Sequence, residues 1–340
     1  MTDLIMRTCE PRTLLSHLAA YGLAATLEAQ GSAGVRLGWT EGSNPRPFVV
    51  VPDEDEAAAL IARHARAADT EGSWVNRDVV LKGSPRGLMS PRLTPFGDSE
   101  TWRQVQQLRQ EVLDTLTVSG AWFDLRLLAA LGEPCYWRYN RQGAPLQDDG
   151  ASRLEMQPRN QGSEFVGNRL RRLAASVAVR EPVQILAGLC GEAIKDEIGN
   201  DKSDSRTATG LASPGPTDNA LAWCALWGIS QFPLAMRTRV TAVTSGHFGR
   251  SRSEWFYVPM WHQRWQPARL RSILASTPLQ VLAAAGQGRH SDAEVEAARS
   301  WLSARGVKGA IRFPIVRFGS DSAPERRAMR GEPLPTGAPV

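Results

Sequence analysis

The run Ala220 to Phe232, ALAWCALWGISQF, is apolar along nearly its whole length and helical by length and content. Trp223 and Trp227 stand four residues apart in it, the spacing at which two side chains on a helix meet, so the pair is expected to pack as core. Around this run the chain alternates helical and β-like stretches. Pro11 to Gln30 reads as an amphipathic helix, with Leu14, Leu18, Tyr21, Ala25 and Ala29 on one side and Gly31 as its stop. Val35 to Trp39 and Phe48 to Val51 read as a hairpin. Asp53 to Ala68 and Ser99 to Leu116 read as helices, the first with its acids crowded at the N-terminal turn as the helix dipole prefers. Phe123 to Leu131 fits helix or strand. Further helices are expected over Phe165 to Val179, Val183 to Ile198, from Pro267 and over Asp292 to Ala304, and strands over Arg237 to Thr244, Glu254 to Val258 and Ile311 to Phe318.

This pattern predicts an α+β fold of mixed helices and short antiparallel strands in two packed subdomains. The first spans residues 1–150 and the second, basic and rich in aromatics, residues 151–319. Two stretches look unlike core. Gly199 to Pro216, GNDKSDSRTATGLASPGP, is expected to be a flexible polar loop, and residues 320–340, rich in Pro, Gly, Ala and charge, a disordered tail.

At 340 residues the chain needs no staples to bury a core. Its four cysteines lie far apart with no C-x-x-C pair, which points to small buried apolar side chains in a reducing compartment and to neither zinc nor disulfides. No apolar run suggests a membrane span, and the start lacks the pattern of a secretory signal, so a cytoplasmic protein is expected.

Between Arg237 and Arg271 lie seven arginines and one acid, Glu254, interleaved with Trp255, Phe256, Tyr257, Trp261 and Trp265. That local excess of +6 exceeds the formal +5 of the whole protein. Guanidinium forks grip phosphate oxygens in pairs and aromatic faces stack on bases, so the composition suits a nucleic-acid surface; it equally suits Arg stems lying along rings within a protein. The five histidines form no pattern with Ser, Cys or Asp that signals nucleophilic catalysis, and neither H-E-x-x-H nor G-x-S-x-G occurs. Asp196, Glu197, Asp201 and Asp204 could hold a magnesium ion in a nuclease, but Lys195 and Lys202 interrupt them, and a solvated loop is the better reading. No enzyme, cofactor or metal is expected.

Three segments, LLSHLAAYGLAATLEAQG followed by VRLGWT, DNALAWCALWGISQFPL, and SEWFYVPMWHQRWQPARLRSILAS, resemble the large-subunit-like proteins of type I-G (formerly I-U) CRISPR systems. In those proteins a similar helix ending in proline precedes an aromatic F-x-x-P-x-W strand and an R-x-x-L helix. The resemblance implies a nuclease-free subunit of a Cascade effector. Its partners would be guide RNA, target double-stranded DNA, the other Cascade subunits and a separate helicase-nuclease, and it would read the protospacer-adjacent motif and hold the opened DNA. Reading a short motif takes side chains at base edges, with cations on flanking phosphates. The candidate readers here are Asn160, Gln161, Lys202, Ser205, Arg206 and Thr207, and the candidate phosphate ligands are Arg169, Arg172, Arg237, Arg239, Arg250 and Arg252. The competing expectation is a structural adaptor that contacts the backbone subunits and guide RNA without reading DNA.

Overall fold

The computed structural model describes residues 1–93, 98–134, 141–143, 147–156, 165–237, 241–250, 253–320 and 323–337. Two helices form its centre. Helix α1 (Leu14–Ala29) is buried on every side from Leu14 through Leu27, so the expected amphipathic helix is enclosed all round. The apolar run forms the second. The three-stranded antiparallel sheet β1-β3-β2 (Thr2–Ile5, Pro47–Val51 and Arg36–Trp39) packs beside α1, and β1 is an edge strand that periodicity does not disclose. Next come α2 (Glu54–Asp69), capped by Asp53, the hairpin β4 (Asp78–Leu81) and β5 (Ser84–Gly87), and helices α3 (Ser99–Val118) and α4 (Trp122–Leu131), the last settling Phe123 to Leu131 as helix. In the second half, one π-helical turn at Val166–Leu170 leads into α5 (Arg171–Ala178). Helix α6 (Pro182–Cys190) stops early because Gly191 turns left-handed, at φ 78°.

Helix α7 (Asn219–Gly228) then crosses α1 at close range. All ten of its residues are buried. A short hairpin, β6 (Leu234–Ala235) with β7 (Val243–Thr244), precedes the larger sheet. That sheet has the order β11-β10-β9-β8, from Ala323–Ala328, Gly309–Ser320, Ser253–Met260 and His247–Arg250, all antiparallel, with β12 (Glu332–Pro335) also pairing β10. Helices α8 (Pro267–Leu274), α9 (Thr277–Ala283) and α10 (Asp292–Ser303) lie between β9 and β10 in sequence. The architecture is α+β, as expected.

One expectation is corrected. Within the expected disordered tail, Ala323–Ala328 and Glu332–Pro335 are strands held by long-range pairing to β10, which local composition does not reveal. One apolar cluster spans both sides of residue 150, from Leu18 and Tyr21 of α1 to Trp223 and Trp227 of α7 and Phe313 of β10. Cys9, Cys190 and Cys224 are free and buried, as expected, while Cys135 lies outside the described residues.

Two histidines in this core make stability depend on pH. His17 is fully buried, with Nε2 2.7 Å from the Pro11 carbonyl, and His64 lies among Phe123, Trp223 and Trp227. Burial pushes each imidazole from 6.5 down to about 3. The unfolded chain therefore takes up two protons in a range where the folded chain refuses them. Their contribution is complete above pH 6.5 and is lost as pH falls toward 3, at up to about 1.4 kcal/mol per pH unit for each histidine. Urea unfolding midpoints should fall steeply between pH 6.5 and pH 5, and a flat profile there would contradict this assignment.

Candidate nucleic-acid interface

The loop read as flexible is built around one carboxylate. Asp196, fully buried, accepts the Ser205 and Thr207 hydroxyls and the backbone N–H groups of Gly199 and Thr217, the last three at 2.6, 2.9 and 3.2 Å respectively. Its own N–H donates to Asp201 at 2.8 Å. The backbone is left-handed at Asn200, Asp201 and Thr209, with φ of 52°, 52° and 53°, a conformation that costs on the order of 1 kcal/mol or more at a β-branched threonine. Ser205 and Thr207 are thus corrected from base readers to internal hydrogen-bond donors, at 4% and 3% exposure. Asp196 and Asp201 are likewise occupied by hydrogen bonds inside the loop. Among the described residues no group of three His, Cys, Asp or Glu side chains is placed to hold a metal.

A second buried network ties this loop to the helices. Arg180, 3% exposed, donates to Glu197 at 3.1 and 2.5 Å, to both Asp218 oxygens at 3.1 Å and to the Lys195 carbonyl at 2.6 Å. Asp218 also caps α7 through the Ala220 and Leu221 amides. Burial raises the Asp218 carboxyl above its usual range even against the pull of Arg180. Burial pushes Glu197 the same way, but the hydrogen bond and charge of Arg180, a backbone hydrogen bond and the Ser176 hydroxyl together outweigh it and hold that carboxyl low. Ser176 of α5 reaches Glu197 at 3.3 Å, and exposed Arg172 stands one helical turn before Ser176.

Strand β11, inside the expected tail, gathers the other candidates. Arg206 pairs with Glu325 at 3.2 Å, the Ala328 amide donates to the Gly210 carbonyl at 2.8 Å, and the Arg326 amide donates to the Met156 carbonyl at 2.7 Å. One strand therefore holds the loop that presents exposed Lys202 and the last described residue before the segment carrying Asn160 and Gln161. Asn160, Gln161, Arg239 and Arg252 lie outside the described residues. Arg169 sits half-buried in the π-helical turn before α5, and Arg237 is exposed just after β6. Arg250 ends β8, in register with Ser253.

The aromatic segment is corrected more heavily. Trp261 and Trp265 stack at 4.3 Å with an 8° angle, at 0% and 1% exposure, and β2 pins them: the Leu37 amide donates to the Trp265 carbonyl at 2.8 Å and Trp261 Nε1 donates to the Leu37 carbonyl at 3.2 Å. Phe256 and Tyr257 are buried as well. Arg264 pairs with Asp3, and Arg269 lies 4.7 Å over Trp265. Internal packing consumes most of the rings.

What sequence reasoning missed is the far end of β10. Val316, Arg317 and Phe318 are exposed there, and Arg326 and Arg327 follow on β11. The V-R-F and E-R-R pattern was available as a signal, but lay across the boundary between an assigned strand and an assigned tail. No helix is long and apolar enough to cross a membrane among the described residues. No family model matches the chain, and no curated protein matches it.

Proposed function

We propose that this chain is a cytoplasmic, non-catalytic subunit of a type I-G RNA-guided CRISPR effector that binds target DNA, reads the protospacer-adjacent motif and holds the opened strands while a separate helicase-nuclease cuts. The observation that carries the reading is the convergence on β11: an ordered loop presenting Lys202 and Arg206 is tied to that strand, as is Met156, the last described residue before the segment with Asn160 and Gln161. Cations held on an anchored loop are what phosphate positioning requires. The adaptor reading draws on a different observation. Arg206 and Arg264 already have carboxylate partners within the chain, and Trp261 and Trp265 are internal.

Anisotropy with a labelled DNA duplex across a salt series tests the proposal. Binding should weaken steeply with salt, and Lys202→Ala and Arg172→Ala should each flatten the log–log slope by about 1. Affinity unchanged between low and high salt would leave the adaptor reading in possession.

A further inference from the structure

Arg271, one of the seven arginines of the basic segment, lies over no ring and pairs with no carboxylate among the described residues; its Nη1 donates to Gln231 Oε1 at 3.1 Å. Gln231 is fully buried in the 3-10 turn Ile229–Gln231, and its Nε2 donates to Ser230 Oγ at 2.9 Å. Helices α4 and α8 both pack on this turn. Arg126 of α4 comes to the same junction. Its guanidinium stands 6.0 Å from the centre of the Phe123 ring, and it too has no carboxylate within 4.0 Å among the described residues. Both arginines are half-buried.

Folding thus brings two like charges from different helices within electrostatic reach of each other. Burial disfavours the charged form of Arg271, the charge of Arg126 disfavours it further, and the pull of exposed Glu28 on α1 does not make up the difference, so Arg271 is held below the ordinary arginine range. The chain supplies no countercharge in contact with either guanidinium among the described residues. What it supplies is a neutral amide oxygen, which fixes the direction of the Arg271 fork without cancelling its charge. An anion between the two would turn their repulsion into attraction. A carboxylate offers two oxygens in one plane, and a single fork occupies both in a bidentate pair. Two forks on separate helices are matched by an anion with further oxygens out of that plane and with more charge, which a phosphate group has.

We infer that Arg126 and Arg271 hold one phosphate group at the junction of α4, α8 and the Ile229–Gln231 turn, with Gln231 orienting the Arg271 fork. The site goes beyond the function proposed above and does not depend on it. A nucleic-acid backbone and a free phosphorylated compound present the same chemistry there, and the experiment separates them.

The test is thermal unfolding of the full chain in inorganic phosphate and in chloride at matched ionic strength. Exclusion of phosphate from the protein surface raises the melting temperature of every variant alike, so the readout is the part of the rise that Arg126→Gln removes. That part should be about 2 °C once phosphate exceeds its Kd tenfold, and Arg271→Gln should remove it too. In chloride alone Arg126→Gln should melt no lower than the parent, because the charge it removes repels Arg271. The same phosphate rise in the parent and in both variants overturns the assignment. Anisotropy with a labelled duplex then names the source. If Arg126→Gln flattens the log–log salt slope by about 1, the phosphate belongs to a nucleic-acid backbone; if it loses the phosphate rise and keeps the slope, the ligand is a free phosphorylated compound. A parent that binds duplex in a salt-dependent way, yet shows no phosphate rise beyond that of the variants, loses the site and keeps the DNA-binding function. A parent with the phosphate rise and no duplex binding keeps the site and loses that function.

Discussion

Gly22→Ala is expected to destabilise the protein by about 3 kcal/mol or more, because the added methyl has nowhere to go. A Cβ at Gly22 would stand 1.7 Å from the Cys224 carbonyl oxygen and 2.6 Å from the Gly228 nitrogen, and one at Gly228 would stand 2.1 Å from the Leu18 carbonyl oxygen. Each glycine of this crossing faces the other helix's backbone. Backbone cannot swing aside as a long side chain can, so α1 and α7 would have to separate, and with them the core that runs through Tyr21, Trp223 and Trp227. The check is the unfolding midpoint in urea, with Gly72→Ala as control. Gly72 has open space around its ideal Cβ, so that change should stay within about 0.5 kcal/mol of the parent. Equal midpoints for the two variants would mean that the helices are not in the contact described.

The helices were largely legible in the sequence because their signals are local. Asp53 before an acidic first turn, Pro267 at the opening of α8 and the Ser291 to Glu294 capping box each mark an end within a few residues of it. Other features depend on partners far away. The apolar periodicity of α1 shows one face, and its second face is covered by a helix about two hundred residues later. Ser205 and Thr207 read as loop polars because nothing in their neighbourhood shows that both hydroxyls end on Asp196. The aromatic segment failed as a candidate site for a similar reason. Trp261 and Trp265 have the composition of a stacking platform, but their stacking partner is each other and their cover is β2. Strands β11 and β12 were hidden by their Pro and charged residues, since pairing with β10 compensates for the poor propensity of residues such as Pro324 and Pro333.

Asp196→Ala is the second substitution with a large expected effect, and it bears on the site as much as on the fold. It would strand two hydroxyl donors and two amide donors in a buried position, while the left-handed residues Asn200, Asp201 and Thr209 would keep their strain without the anchor that holds them in place. Removing the shared charged acceptor of such a network costs about 3 to 5 kcal/mol. The isosteric change Asp196→Asn would not restore it, because an amide turns one acceptor oxygen into a donor that faces donors. Much of the loss should be local. Hydrogen exchange at the Gly199 and Thr217 amides, which donate to Asp196, should accelerate far more than at the amides in the middle of α1 and α7, which donate within their own helices. Since the same loop presents Lys202 and Arg206, duplex affinity should fall together with that protection. Unchanged exchange at Gly199 and Thr217 would show that Asp196 is not what orders the loop.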